Sequence, residues 1–289
     1  MSFNKGINID TLTKGGRRDF RPQNSYYVAP NGTDTNEGSL LNPFQTIGKA
    51  ISVVENLTTL SPTSQAVIHI YNGQYNENLT ITKPYYGIVG VYESELQNEV
   101  CEITGTISIN IPTGTSVVIS QIMLEGFSLT GNIIDSSTSL HAVNLANIRI
   151  FVPSGQTKAF EQLSTANHRT YFKNVYISQG SLVGGNTDPL ITIQNGYTLF
   201  SEVEATQRNK GNILKVLPPT SAPTTGNSTF RITNSLFTTD YTGSDMLPLA
   251  DIDSLGNTFG SCGFAVSSTT LKAAGSSVIY LQSGASIIL

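Results

Sequence analysis

Two hydrophobic periods divide the chain unequally. Over residues 44–54 the apolar positions Phe44, Ile47, Ala50, Ile51 and Val54 recur at three- and four-residue steps, which places one stripe on one face of an amphipathic helix. Thr46 or the Asn42-Pro43 pair starts it, since proline suits a first turn. Ahead of it, Tyr26 to Ala29 reads as an edge strand and Asn31-Gly32 as a tight turn. From Ala66 onward the period falls to two. Val67-Ile68-His69-Ile70-Tyr71 stops at Asn72-Gly73, Leu79-Thr80-Ile81-Thr82 stops at Lys83-Pro84, and Gly87–Val91, Glu102–Thr104 and Ile107–Ile109 follow. Strands this short and this closely spaced exclude a helical bundle or a doubly wound α/β fold.

The strands repeat. Segments centred on Ile122, Ile148, Val175, Val203 and Ser235 superpose, each with apolar residues, a polar residue just before the anchor and an alternating strand after it. The anchors are separated by 26, 27, 28 and 32 residues, and the last step holds the Pro-rich run 218–226, read as a surface insertion. A period of this size fits one coil of three short strands and three bends, stacked on its neighbour at about 4.8 Å. The residue before each anchor is Gln121, Asn147, Asn174, Glu202 or Asn234, which predicts a side-chain ladder that satisfies backbone groups at a bend. Residues 246–289 continue in the same style and end on Ile287-Ile288-Leu289. That apolar end predicts a contact with another subunit, or a strand folded back.

Composition adds a polarity. Only 12% of residues are charged and the net charge is −4. Residues 1–24 carry Lys5, Lys14, Arg17, Arg18 and Arg21 against Asp10 and Asp19, a net +3, which leaves −7 for the rest. A basic arm of this kind docks on an acidic partner or remains a solvated tail. The two cysteines, Cys101 and Cys262, make neither a disulfide framework nor a zinc site and read as buried small residues. No apolar run is long enough to cross a membrane, and the N-terminus has no secretion signal. The organisation expected is an arm over 1–24, a cap over 25–65 and a coiled β body over 66–289.

The cap carries a resemblance. Tyr27-Val28, Asn31-Gly32, Asp34, Asn36 and Gly38, followed by Pro43-Phe44, Thr46-Ile47 and Ala50-Ile51, resemble the N-terminal cap of pectin-lyase-like proteins. Ile68 to Ile81, with its Gly73-x-Tyr75-x-Glu77 core, looks like the first coil of that superfamily. The match spans about residues 26–91. It implies an all-β chain folded as a right-handed parallel β-helix with one N-terminal capping α-helix. It does not imply an activity, because the superfamily holds lyases, esterases, hydrolases, tailspikes and non-enzymatic virion proteins.

Candidate chemistry is sparse. A glycosidase needs two carboxylates facing one groove. Glu202/Glu204 and Asp251/Asp253 are spaced for that, although alternation alone also puts such pairs on a solvent face. The polygalacturonase, pectin methylesterase and pectate lyase site motifs are absent. Asp34-x-Asn36-x-Gly38 echoes a calcium loop but reads better as a turn. The histidines His69, His141 and His168 are scattered, and Tyr26, Tyr27, Tyr85, Tyr86 and Tyr92 read as packing between cap and first coil. The function expected is a non-enzymatic structural protein of a virus or phage particle, held through the basic arm and forming a homo-oligomer, for which the resemblance implies a trimer. No cofactor and no metal are expected. The alternative is a glycan-cleaving or glycan-binding tailspike using Glu202, Glu204, Asp251 or Asp253.

Overall fold

A computed structural model describes residues 22–91, 101–112, 120–163, 168–180, 187–194, 196–217, 228–239, 250–252, 262–267, 270–272, 279–281 and 285–288. The five basic residues of the arm, Tyr92, the run 218–226 and Asp253 lie outside these residues.

The chain forms a right-handed parallel β-helix with one capping helix, and three ladders of strands run along it. The first stacks Pro22–Val28, Gln65–Ile70, Tyr86–Gly90 and Ser120–Glu125, then the leading halves of His141–Val152, Arg169–Gln179 and Tyr197–Gln207. It ends in Ser228–Thr233, Cys262–Ser267 and Ala285–Ile288. The second begins at Gly73–Asn76 and takes in the leading halves of Cys101–Ile109 and Ser128–Asp135. It continues through the trailing halves of the three long strands to Leu236–Thr239 and Thr270–Lys272. The third runs from Leu79–Ile81 through the ends of Cys101–Ile109 and Ser128–Asp135 to Phe160–Gln162, Ile191–Ile193, Leu214–Val216, Ala250–Ile252 and Ile279–Leu281. All these pairings are parallel, and the hand is that of nearly all parallel crossovers.

Period-two alternation sends every second side chain into the lumen, where parallel in-register pairing stacks like on like. One inward column reads Ile68, Ile88, Leu124, Leu145, Phe172, Phe200 and Ile232 from coil to coil. All seven are buried, and the Phe172 and Phe200 rings stack at 4.7 Å. Where the second and third ladders meet within one strand, Gly105 (φ 145°) lies under Gly131 (φ 154°). A Cβ on Gly131 would sit 1.8 Å from the Gly105 carbonyl oxygen, so this corner admits no side chain.

The corner between the first and second ladders is a single left-handed residue: Asn147 (φ 54°), Asn174 (51°), Glu202 (59°) or Asn234 (49°). Asn174 Nδ2 donates to Asn147 Oδ1 at 2.8 Å, so the expected ladder exists, but these side chains stand on the outer surface. Asparagine is used here because, after glycine, it tolerates this conformation best. The repeat also needs one correction. Gln121 pairs with Ala142 and Glu125 with Ala146, so Gly126 (φ 73°) rather than Gln121 occupies the bend below Asn147. Ile122 therefore stacks under Val143, and that coil steps by 21 residues instead of 26. A glycine at the bend hid the register, because the polar pair was sought in its place.

The helix α1, Ile47–Glu55, starts at Thr46, whose hydroxyl accepts from Lys49 N at 3.2 Å. Its stripe of Ile47, Ala50, Ile51 and Val54 is buried against the first coil, as the periodicity predicts. Carboxylates fix both of its ends. Glu77 Oε1 and Oε2 accept from Ile47 N and Gly48 N at 2.9 and 2.8 Å, filling the free N–H groups at the positive end of the helix. Asp34 Oδ1 accepts from Gln45 N and Thr46 N, both at 2.9 Å, and its Oδ2 from the Thr46 hydroxyl at 2.7 Å. Burial alone would raise the Asp34 carboxyl, but these bonds hold it below its ordinary range. Glu55 accepts from Thr82 N, Lys83 N and the Tyr86 hydroxyl. Asp34 and Asn36 are thus turn residues, the latter donating to the Pro43 carbonyl at 2.9 Å. At the other end, Ala285–Ile288 stacks in parallel on Cys262–Ser267 and continues the coil. No helix among the described residues is long and apolar enough to cross a membrane.

Candidate functional site

Of the sequence-derived acids, Glu202 and Glu204 come together. Glu202 occupies the left-handed bend, Val203 turns inward and Glu204 leads the trailing half of the strand, so the two exposed carboxylates flank a corner of the coil. They line a surface cleft of about 450 Å³ with Val203, Asn234, Ser235 and Leu236. The cleft floor is held by Ser235, whose hydroxyl accepts from Val203 N at 3.1 Å and donates to the Thr233 carbonyl at 2.8 Å. Register places Tyr176 beside Glu204 on the preceding coil and Arg149 beside Tyr176 on the coil before that. Tyr176 is 41% exposed. Lys173 is paired with Ser201, just before Glu202.

Glu202 breaks the rule of its own column. Glutamate has no local side-chain compensation for positive φ, and the conformation costs an ordinary residue roughly 1–2 kcal/mol. Glu202 is thus a residue held against local preference, next to a second acid on an open cleft. Of the other pair, Asp251 pairs along the third ladder with Lys215 and Tyr280, on a different part of the coil from Glu202, and Asp253 lies outside the described residues.

Glu125 lies lower on the same edge and was not among the acids read from the sequence. Its Oε1 accepts from Asn147 Nδ2 at 3.1 Å, whereas its buried Oε2 has no partner. Burial raises its carboxyl above the ordinary value, against the opposing Asn147 hydrogen bond and Lys173 charge. Only its place in the coil, one rung below the asparagines, could have singled it out.

The histidines are not scattered as expected. His69 stacks on Tyr27 at 5.0 Å, between cap and first coil. His141 opens its first-ladder strand, His168 sits one residue before the strand stacked on it, and the rings meet edge-on at 4.3 Å inside the lumen. Asp135, from the end of the third ladder, joins them with its Oδ2 2.9 Å from His141 Nε2. His141 Nδ1 lies 3.0 Å from the Ser139 carbonyl oxygen, and Asp135 Oδ1 accepts from Ser137 N at 3.1 Å. With an oxygen at each ring nitrogen, His141 Nδ1 donates to the Ser139 carbonyl and one proton lies between His141 Nε2 and Asp135 Oδ2. Burial alone would raise the Asp135 carboxyl and lower the His141 imidazole, and their mutual bond reverses both. His168 is driven down to about 3 by burial and by His141, so it is neutral, and neither ring nitrogen has a partner. The signal was present in the sequence: 141 and 168 differ by 27, one coil.

Cys101 is buried and free, its thiol pushed up by burial to about 12, which leaves it an inert core residue.

No protein-family model matches the chain, and no curated protein sequence matches it. Among solved structures, a rhamnogalacturonan lyase aligns over 92% of this chain and 84% of its own, at 12% identity and a TM-score of 0.42. A pectin methylesterase in complex with a hexasaccharide aligns over 84% of this chain and 78% of its own, at 16% identity and a TM-score of 0.34. At this level neither similarity bears on chemistry, and the fold rests on the parallel pairings themselves.

Proposed function

We propose that this protein is a glycan-binding β-helix whose contact surface is the cleft at Glu202 and Glu204. The observation that supports the reading is the placement of Glu202: an acid at a bend that its neighbours fill with asparagine, paired across the corner with Glu204. Two exposed carboxylates can accept hydrogen bonds from vicinal sugar hydroxyls, and the exposed face of Tyr176 can pack against the C–H face of a ring. This is the alternative that the sequence raised. Its cleaving form needs one of the two acids to deliver a proton and the other to act on the opposite face of the scissile bond.

The setting we propose for it is a virus or phage particle, attached through Lys5, Lys14, Arg17, Arg18 and Arg21 as a homo-oligomer. That setting draws on the composition of the arm and the low charge of the chain. Deleting residues 1–21 is expected to prevent incorporation into the particle while leaving the body folded by circular dichroism.

The binding proposal is tested on an immobilised panel of neutral and acidic polysaccharides, with product release assayed in parallel. The wild type is expected to retain at least one glycan, with Glu204→Gln and Tyr176→Ala each weakening retention about tenfold or more. A panel with no retained glycan, or variants that bind like the wild type, overturns it. Product release that disappears in Glu204→Gln assigns the cleaving form.

A further inference from the structure

We propose that Asp135, His141 and His168 form a metal site inside the lumen, specific for a borderline divalent cation such as Zn²⁺, which pins successive coils together. The three side chains are 0%, 0% and 2% exposed, and one ligand atom from each lies within 4.8 Å of the others. Among the described residues they are the one group of three or more His, Cys, Asp and Glu side chains close enough to share an ion.

Three features separate this cluster from an ordinary packed ion pair. His168 is a fully buried imidazole whose two nitrogens meet no hydrogen-bond partner. A buried unpaired polar group costs roughly 1–3 kcal/mol, and an apolar residue would fill the same rung without that cost. The outer contacts are those of metal ligands: Ser139 O takes the Nδ1 proton of His141 and turns Nε2 inward, while Ser137 N holds the second oxygen of Asp135. The donor set, two imidazole nitrogens and one carboxylate oxygen, suits Zn²⁺ rather than Mg²⁺ or Ca²⁺, which take oxygen-rich shells.

Binding exchanges one cation for another. The proton now shared between His141 Nε2 and Asp135 Oδ2 leaves to solvent, the freed nitrogen lone pair and the carboxylate oxygen coordinate the metal, and His168 supplies a third lone pair without losing a proton. The fourth position falls to a water. Enclosure on all sides makes the site structural. Asp135 closes one coil, His141 opens the next, and His168 sits one residue before the strand above, so the ion would tie the corner where the third ladder returns to the first.

The experiment uses the full untagged chain, refolded with and without Zn²⁺ and desalted. One zinc per chain by elemental analysis is expected, together with a higher melting temperature than the zinc-free protein, since a ligand of the folded state alone stabilises it. Co²⁺ in place of Zn²⁺ is expected to give the visible bands of a four-coordinate nitrogen- and oxygen-ligated ion. His168→Phe is expected to fold and lose the stoichiometric zinc. Should that variant fail to fold, X-ray absorption of the wild-type zinc protein decides, with two imidazoles and no sulfur expected. A wild type that refolds without stoichiometric zinc and melts at one temperature in both preparations overturns the proposal. So does zinc bound through sulfur, or zinc retained in full by His168→Phe.

Discussion

The acids of the cap and the acids of the body are arranged in opposite ways. Around the cap, Asp34 and the first-coil residue Glu77 that docks on α1 have both carboxylate oxygens occupied by backbone N–H groups or a threonine hydroxyl, and Glu55 holds Thr82 and Lys83 just past the strand Leu79–Ile81. In the body, Glu202 and Glu204 face an open cleft, and Glu125 leaves one oxygen buried and bare. Carboxylates around the cap therefore hold structure, as buried Asp135 does in the lumen, whereas Glu202 and Glu204 stand exposed at a bend. Hydrogen bonds to a charged group are worth about 1.5–3 kcal/mol each, so the same residue type has different weight in the two regions.

The largest break in that contrast is Glu77→Ala. It strips two partners from the start of α1 and removes the negative charge from the positive end of the helix. A loss of about 2–4 kcal/mol is expected in urea unfolding, with early exposure of the α1 amides to hydrogen exchange. A loss no larger than that of Glu204→Ala would erase the distinction between the regions.

The contrast also explains what the sequence disclosed. The cap was legible because its chemistry lies in short stretches: Asn31-Gly32 as a tight turn, Asp34 and Asn36 as turn residues, and the Gly73-x-Tyr75-x-Glu77 core of the first coil by resemblance; the bonds from Asp34 to Thr46 were not. The coil period was legible from the anchors Ile148, Val175, Val203 and Ser235, each preceded by a polar bend residue that is asparagine in three of the four. It failed at Ile122, where Gly126 carries the bend with no side chain to mark it. The lumen cluster was missed for a related reason. Asp135, His141 and His168 have no motif between them, and their meeting depends on coil stacking, which sets 141 under 168 only once the exact register is known. Glu202 was read both as the bend residue of its coil and as one of a carboxylate pair, while nothing local announces the left-handed φ that the bend imposes on it.

A smaller effect of opposite sign is expected at Glu202. Replacing it with asparagine puts the preferred residue at a φ of 59° and extends the Asn147–Asn174 ladder by one rung. Glu202→Asn should stabilise the fold by about 0.5–1 kcal/mol in chemical denaturation while weakening glycan retention. Opposite movements of stability and binding are the mark of a residue kept for function. If both fall together, Glu202 is part of the scaffold after all, and the body acids resemble those of the cap.

The smallest effect is a dependence on pH at Glu125. Burial raises this carboxyl in the folded state above the 4.5 of a free glutamate, with Asn147 and the Lys173 charge working the other way. The folded protein therefore holds the Glu125 proton more tightly than the unfolded chain does. Its contribution to stability is fully present below the unfolded value and is lost as pH rises through the raised one. At neutral pH the ionised group sits partly buried with one oxygen unpartnered, and glutamine removes that charge while keeping an oxygen for Asn147 Nδ2. Glu125→Gln is expected to melt higher than the wild type at neutral pH, by an amount that shrinks as the buffer is acidified past the ordinary glutamate range. Melting curves of both proteins across that range decide it. A difference that stays constant with pH would come from packing, and a neutral-pH loss would show that Glu125 is held as firmly as the acids of the cap.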